Sequence, residues 1–294
     1  MVKALLVLLI GMNAFANPRL INGKPVDPAD KRFIPVVRIK TGNSGCTATV
    51  VGKRVAVTAA HCGQTGATSE FSFEKTVYTG KVERSDIYPG RDHDLSVIVF
   101  DKDWEAELAT VSIVKPNVGE TVTLAGYGCT NPGGGGGNDG VLRYGDTAII
   151  SYTGFDAVSR KSNGAALCYG DSGGPSFHEV DGKFRQWGVN SKGNISDTNY
   201  NAGFWHPESV AFLQAMETKH NVEICGMSVD CDVAPSESFT MKNAQGELKF
   251  TRDPGSGHDI DYIKNYAQMF MNFLETGVMK DPHGNVIPLP HPLP

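Results

Sequence analysis

From about residue 34 the chain runs in short apolar stretches, often alternating and rich in β-branched residues, with Gly, Pro, Asn and Asp between them. The clearest are IPVVRIK, TATVVG, RVAVTAA, DLSVIVF, ETVTLAGYG, GDTAIISY and RQWGVNS. Many short strands separated by turn signals predict an all-β sandwich or barrel. Helical periodicity first becomes convincing in PESVAFLQAMETKH, residues 207–220, where Val210, Leu213, Gln214 and Glu217 trace the turns and Pro207 suits the first position. Between the strands, NPGGGGGNDG (131–140) carries five consecutive glycines, which predicts a mobile loop.

After Cys225 the pattern changes. GMSVDCDVAPSES reads as a linker with a short Cys225 to Cys231 loop, FTMKNAQGELKFT as a hairpin, and DIDYIKNYAQMFMNFLETG as an amphipathic helix. On that helix Tyr262, Ile263, Tyr266, Met269, Phe270, Phe273 and Leu274 crowd one side, and Gly277 ends it. A hairpin plus a helix of this size makes a marginal core, so the tail is expected to pack on the main domain. The closing NVIPLPHPLP is Pro-rich and expected to be extended.

The first sixteen residues, MVKALLVLLIGMNAFA, have one Lys, an apolar run and small residues at Ala14 and Ala16, the layout of a signal peptide cut after Ala16. An uncleaved, buried N-terminal helix is the alternative. The apolar run is too short to span a bilayer, and no other stretch approaches the necessary length. A secreted or periplasmic protein without a membrane span is expected. Export puts Cys46, Cys62, Cys129, Cys168, Cys225 and Cys231 in an oxidising compartment, where an even count reads as a disulfide set. No spacing makes a CxxC pair, so a zinc site is not expected; the expectation for the chain as a whole is no metal and no cofactor. With a net charge of -5 in 294 residues, nothing marks nucleic acid or an anionic membrane as partner.

Three segments carry chemistry. TAAHC (58–62) puts His61 at the end of an apolar strand, DHDLSVIVF (92–100) puts Asp94 at the mouth of another, and CYGDSGGP (168–175) puts Ser172 in a glycine-rich turn. A serine hydroxyl is a weak nucleophile unless a base lies within reach, and the base needs a buried carboxylate to fix its tautomer. His61 and Asp94 fit those posts. The glycines let the N–H groups of Gly170 and Ser172 aim at one point, where an oxyanion would sit. Each segment alone reads equally as structure; the three together, in this order, are specific.

On TAAHC, GDSGGP and the Asp before an apolar strand, residues 20 to about 225 resemble the trypsin and chymotrypsin family of serine proteases. The resemblance implies two six-stranded antiparallel β-barrels with the active site in the cleft between them, followed by a C-terminal helix. It implies a domain over 20–225, with a signal peptide at 1–16, a propeptide at 17–19 and an extension at 226–294. It pairs Cys46 with Cys62; Cys129 then falls to Cys168 and Cys225 to Cys231. It gives Ser191 a hydrogen bond to the catalytic Asp and makes Ala166 the floor of the pocket for the residue before the scissile bond. Leu167 follows that floor, and Gly193 and Gly203 are the walls. Without an acid at Ala166, cleavage after apolar or aromatic residues is expected. Lys192 stands where the family usually has Trp.

The segment PRLING resembles the Arg-Ile-Val-Gly-Gly activation junction of that family. Cleavage after Arg19 would free the α-ammonium of Leu20 to pair with Asp171. An apolar pocket cuts poorly after Arg, so a separate trypsin-like activating protease is expected, with polypeptides as substrates and a monomer as the working form. A catalytically silent homologue that binds a partner, and a protease inhibited or targeted by its extension, remain as alternatives. Asn194-Ile195-Ser196 is a glycosylation sequon.

Overall fold

The computed structural model describes residues 20–90, 92–131, 133–134, 139–231, 238–243, 246–251, 264, 267–269, 271–273, 276 and 278. The expected signal peptide and propeptide, including Arg19, and the Pro-rich end lie outside them, as does much of the glycine run.

After β1 (Lys24–Pro25) come β2 (Val36–Thr41), β3 (Ser44–Gly52), β4 (Val55–Thr58), β5 (Thr68–Phe73), β6 (Thr76–Arg84) and β7 (Ser96–Phe100). Strands β2 to β7 close into an antiparallel barrel in the order β2-β3-β4-β7-β6-β5. Then follow β8 (Thr121–Gly126), β9 (Arg143–Thr153), β10 (Asp156–Arg160), β11 (Pro175–Val180), β12 (Lys183–Gly193) and β13 (Thr198–Gly203). These form a second ring, β9-β10-β13-β12-β11-β8, closed by the β8–β9 pairing, with β1 added to β9. Two six-stranded antiparallel barrels are thus present, as expected, and every strand-like run named above falls on a strand.

Why the alternation is imperfect is clear in β3. Every residue from Cys46 to Gly52 is buried, because one face fills the first barrel and the other meets the second. The first barrel is filled by Val37, Ile39, Val50, Ile98 and Phe100 among others. Phe33, Val57, Val97, Phe177, Val189 and Phe204 belong to a further apolar cluster that includes side chains of both barrels. That cluster also takes in Leu213 of α1 (Pro207–His220). Pro207 opens this helix and Asn221, left-handed at φ 50°, ends it. Its buried side differs in part from the expected one: Ser209 and Leu213 are buried, with Phe212 and Met216 half-buried, whereas Gln214 is exposed. Leu213 defines the stripe, and Gln214 lies about 100° further round.

The chain divides into two compact units, the first ending at Asp230. Residues just past Cys225 belong to it: the Cys225 N–H donates to Val51 O at 2.7 Å and that of Gly226 to Val229 O at 2.7 Å. In the second unit β14 (Ser238–Asn243) and β15 (Gly246–Thr251) form the expected hairpin, with Asn243 opposite Gly246. The described residues from Lys264 to Thr276 are helical, with Ala267, Met269 and Met271 buried and Phe273 half-buried. Tyr262, Ile263, Tyr266, Phe270, Leu274 and Gly277 lie outside the described residues.

Candidate active site

His61 lies in a single helical turn, Ala60–Cys62, just after β4. The Cys46–Cys62 disulfide ties that turn to β3. Its ring Nδ1 is 2.7 Å from Asp94 Oδ2, and its backbone N–H donates to Asp94 Oδ1 at 2.9 Å. Asp94 is 2 % exposed. Burial alone would raise its pKa, but the hydrogen bonds from His61 and Ser191 outweigh it and hold the carboxyl below its ordinary value. Ser191 reaches Asp94 because β12 shifts register between Asn190 and Lys192. The bulge turns the Ser191 hydroxyl toward the carboxylate, to which it donates at 2.6 Å.

Ser172 lies in a turn whose backbone only glycine accepts. Gly170 has φ +99° and Gly173 has φ +78°. A Cβ on Gly173 would stand 1.9 Å from Thr58 Oγ1 and 2.5 Å from Thr47 O. Neither the Gly170 nor the Ser172 N–H donates to another group among the described residues. Thr47, which the sequence reading passed over, holds the turn from β3. Its N–H donates to Ser172 O at 2.8 Å and its hydroxyl to Gly170 O at 2.8 Å. Asn190 holds it from β12, donating through Nδ2 to Ala125 O and Asp171 O. A polar amide inside an apolar strand is the signal that marks Asn190; Thr47 carries no such signal, because threonine is an ordinary strand residue.

Asp171 is fully buried and accepts the N–H groups of Gly128 and Cys168, each at 2.8 Å. Burial pushes its carboxyl up to about 7, against those two hydrogen bonds and the charge of Arg143. Leu20 is also fully buried, among Val122, Leu124, Leu167 and Trp187, and Ile21 bridges Ala166.

His61, Asp94, Leu167, Gly170, Ser172, Ser191 and Gly193 line one cleft of about 500 Å³, together with Tyr88, Asp92, Tyr169, Lys192 and Ile195. Two expected pocket residues are not among its lining. Ala166 is buried against Ile21, Cys129 and Cys168. Gly203 pairs with Gly188, and the Trp205 ring stands where its Cβ would be. The residue opposite Gly193 is Asn199. Its Oδ1 accepts the Leu167 N–H at 2.8 Å, and its Nδ2 donates to Ala165 O at 3.1 Å. The motif NAGFW pointed to Gly203, but the β12–β13 pairing puts that glycine opposite Gly188 and leaves Asn199 facing Gly193.

Cys129–Cys168 is bonded, and Cys225 and Cys231 are both disulfide-bonded. Cys46, His61 and Cys62 are close enough for a metal, but the sulfurs are spent in a disulfide and offer no thiolate. A second histidine, His93, lies between Ser85 Oγ at 2.6 Å and Ser209 Oγ at 2.8 Å. Ser209 gives its proton to Gly203 O, so it accepts from His93 Nε2–H. His93 is 1 % exposed and Ser209 is 0 %. No substrate reaches them, and the chain of hydroxyls ties the Asp94 loop to α1.

Two barrels flanking a cleft that holds an exposed His paired with a buried Asp, and a glycine-cradled Ser, define the serine hydrolase class of double-barrel proteins. A family model described as Trypsin matches residues 20–211, and the chain belongs to the trypsin family of serine proteases. A solved structure titled as neuropsin, a serine protease expressed in the limbic system of mouse brain, is similar in fold. It shares 19 % identity at a TM-score of 0.53 and covers 67 % of this chain and 99 % of its own. No curated protein matches the chain. Among the described residues, no helix is long and apolar enough to cross a membrane.

Proposed function

We propose that the chain is a secreted or periplasmic serine endopeptidase, made as a precursor, that cuts polypeptides after apolar or aromatic residues. The observation that carries this reading is the 2.7 Å contact of His61 with buried Asp94 in the cleft that Ser172 also lines. Ser172 Oγ attacks the scissile carbonyl while His61 Nε2 takes its proton, and Asp94 keeps Nδ1 protonated and stabilises the imidazolium. The oxyanion is received by the Gly170 and Ser172 N–H groups, worth about 3 to 4 kcal/mol each in such sites. His61 then protonates the leaving amine, and water repeats the sequence on the acyl-enzyme.

Leu167 and Ile195 in the cleft favour an apolar residue at the cleaved position; the carboxylates among its described lining are Asp92 and Asp94, and Asp94 is committed to His61. Activation by a cut after Arg19 is supported by the burial of Asp171, since an unpaired buried carboxylate costs several kcal/mol. The α-ammonium of Leu20 would supply the partner. With an apolar pocket, the cut falls to a separate trypsin-like protease.

The test compares a chain starting at Asn17 with one starting at Leu20 on peptides bearing Leu, Phe or Arg before the cut. The Leu20 chain should cleave the Leu and Phe peptides at least about 100-fold faster than the Asn17 chain. Efficient self-activation of the Asn17 chain, or preference for Arg, would contradict the specificity and activation parts of the reading.

A further inference from the structure

Lys192 stands in the cleft as a cation held from two sides. Its Nζ is 3.0 Å from Asp156 Oδ2 and also pairs with Asp92. The Tyr200 ring lies 5.7 Å from the same nitrogen. The two carboxylates are not equivalent. Asp156, on β10, is 3 % exposed, and its other oxygen has no hydrogen-bond partner among the described residues. It is a fixed counter-ion. The Asp92 side chain is 60 % exposed, on the loop that leads into Asp94. Its backbone sits at φ 59°, a region uncommon for residues other than glycine. It is the exchangeable counter-ion.

Lys192 and Asp92 come from opposite barrels, and both line the cleft with His61 and Ser172. Lys192 directly precedes Gly193 and lines the cleft with it, so with Gly193 as the pocket wall that the family resemblance implies, substrate just upstream of the pocket residue would pass Lys192. Burial acts to lower the Lys192 pKa, but Asp92 and Asp156 outweigh it and leave it raised, so the ammonium stays charged at neutral pH.

Three kinds of substrate side chain can meet this arrangement. A carboxylate replaces Asp92 on Nζ one for one, and Asp92 moves into water at small cost, as exposed pairs do. A leucine displaces the pair and returns no charge interaction. An ammonium meets the like charge of Lys192 and gains only by drawing Asp92 away.

We infer that Lys192 is a specificity-determining residue that reads an acidic side chain upstream of the residue at the cleaved position. The inference rests on the protease reading above and adds to it a substrate class: peptides with Glu or Asp ahead of an apolar residue.

The test uses the full chain processed to begin at Leu20, with peptides that share Leu at the cleaved position and carry Glu, Gln or Lys at each of the three positions upstream. The Glu-to-Gln ratio of kcat/KM should reach about 5-fold at one of these positions at low salt and fall toward 1 in half-molar salt. Lys192→Gln should abolish the preference. Asp92→Asn should increase it, because the competing carboxylate is gone while Asp156 still holds the ammonium. Each ratio is internal to one protein, so partial misfolding of a variant does not alter it. Equal cleavage of Glu and Gln peptides by the wild type would overturn the inference, as would a preference that survives in Lys192→Gln or a best substrate with Lys. Cleavage of the Gln peptide reports separately on the protease reading, and failure of the wild type to cleave any peptide would count against that reading itself.

Discussion

The carboxylate of Asp171 lies against the backbone of Gly128, whose N–H it accepts at 2.8 Å, and a Cβ on that glycine would come within 2.4 Å of the carboxyl carbon. Gly126 is as tight, with its Cβ position 2.3 Å from Asp171 Oδ1. The spacing of glycines in AGYGC is therefore set by a side chain 43 residues away. Gly128→Ala should displace Asp171 and with it the turn that carries Ser172. Thermal unfolding should register a loss of about 1 to 3 kcal/mol, typical of overpacking, and peptide cleavage should fall further than stability does.

Asp171 also fixes a pH dependence. Burial pushes the folded carboxyl up to about 7 from an ordinary 3.8. Between those values the folded state holds a proton that the unfolded chain has lost, so stability falls as pH rises through that window and is level above it. A chain still carrying residues ahead of Leu20 should show a declining Tm from about pH 4 to 7, and Asp171→Asn should remove the decline. An unchanged slope in that variant would show that another group is responsible.

Thr47 holds the oxyanion turn through its backbone N–H and through its hydroxyl, which donates to Gly170 O at 2.8 Å and accepts the Tyr127 N–H at 3.1 Å. Thr47→Val keeps the shape and removes both hydroxyl bonds. A fall of about 10-fold in kcat with little change in KM is expected, with activity largely restored in Thr47→Ser. Equal effects on kcat and KM would indicate general loosening instead.

Ser191→Ala removes the 2.6 Å hydrogen bond to Asp94 and leaves that buried carboxylate with His61 alone. Hydrogen bonds to charged groups are worth about 1.5 to 3 kcal/mol, so kcat/KM should drop roughly 10- to 100-fold. Asp94→Asn should cost more, about 10⁴-fold in kcat, because the amide favours the wrong His61 tautomer. Steady-state kinetics on both variants checks the order.

What the sequence discloses here and what it hides have physical reasons. His61, Asp94 and Ser172 are legible because each sits in a short motif whose residues serve it: Cys62 pins His61, and Gly170 and Gly173 permit the turn. The Cys129–Cys168 bond is legible once the fold is inferred, because both cysteines flank that turn. Thr47 is not, since it looks like any β-branched strand residue until the second barrel is placed against it. The pocket is only half legible. Gly193 and Leu167 line the cleft, but Asn199 stands opposite Gly193 while Gly203 pairs with Gly188, further along the same two strands. Register depends on hydrogen bonding between strands, which the alternation of one strand does not record.

The central claim is that Ser172, activated by His61, is the nucleophile. It is tested most directly by labelling the protein that begins at Leu20 with a sulfonyl fluoride or organophosphorus probe, alongside Ser172→Ala, and locating the adduct by mass spectrometry. One equivalent on Ser172 in the wild type, with none in the variant and parallel loss of peptide cleavage, is the predicted result. Absence of labelling in the folded wild type, or an adduct elsewhere with cleavage intact in Ser172→Ala, would contradict it.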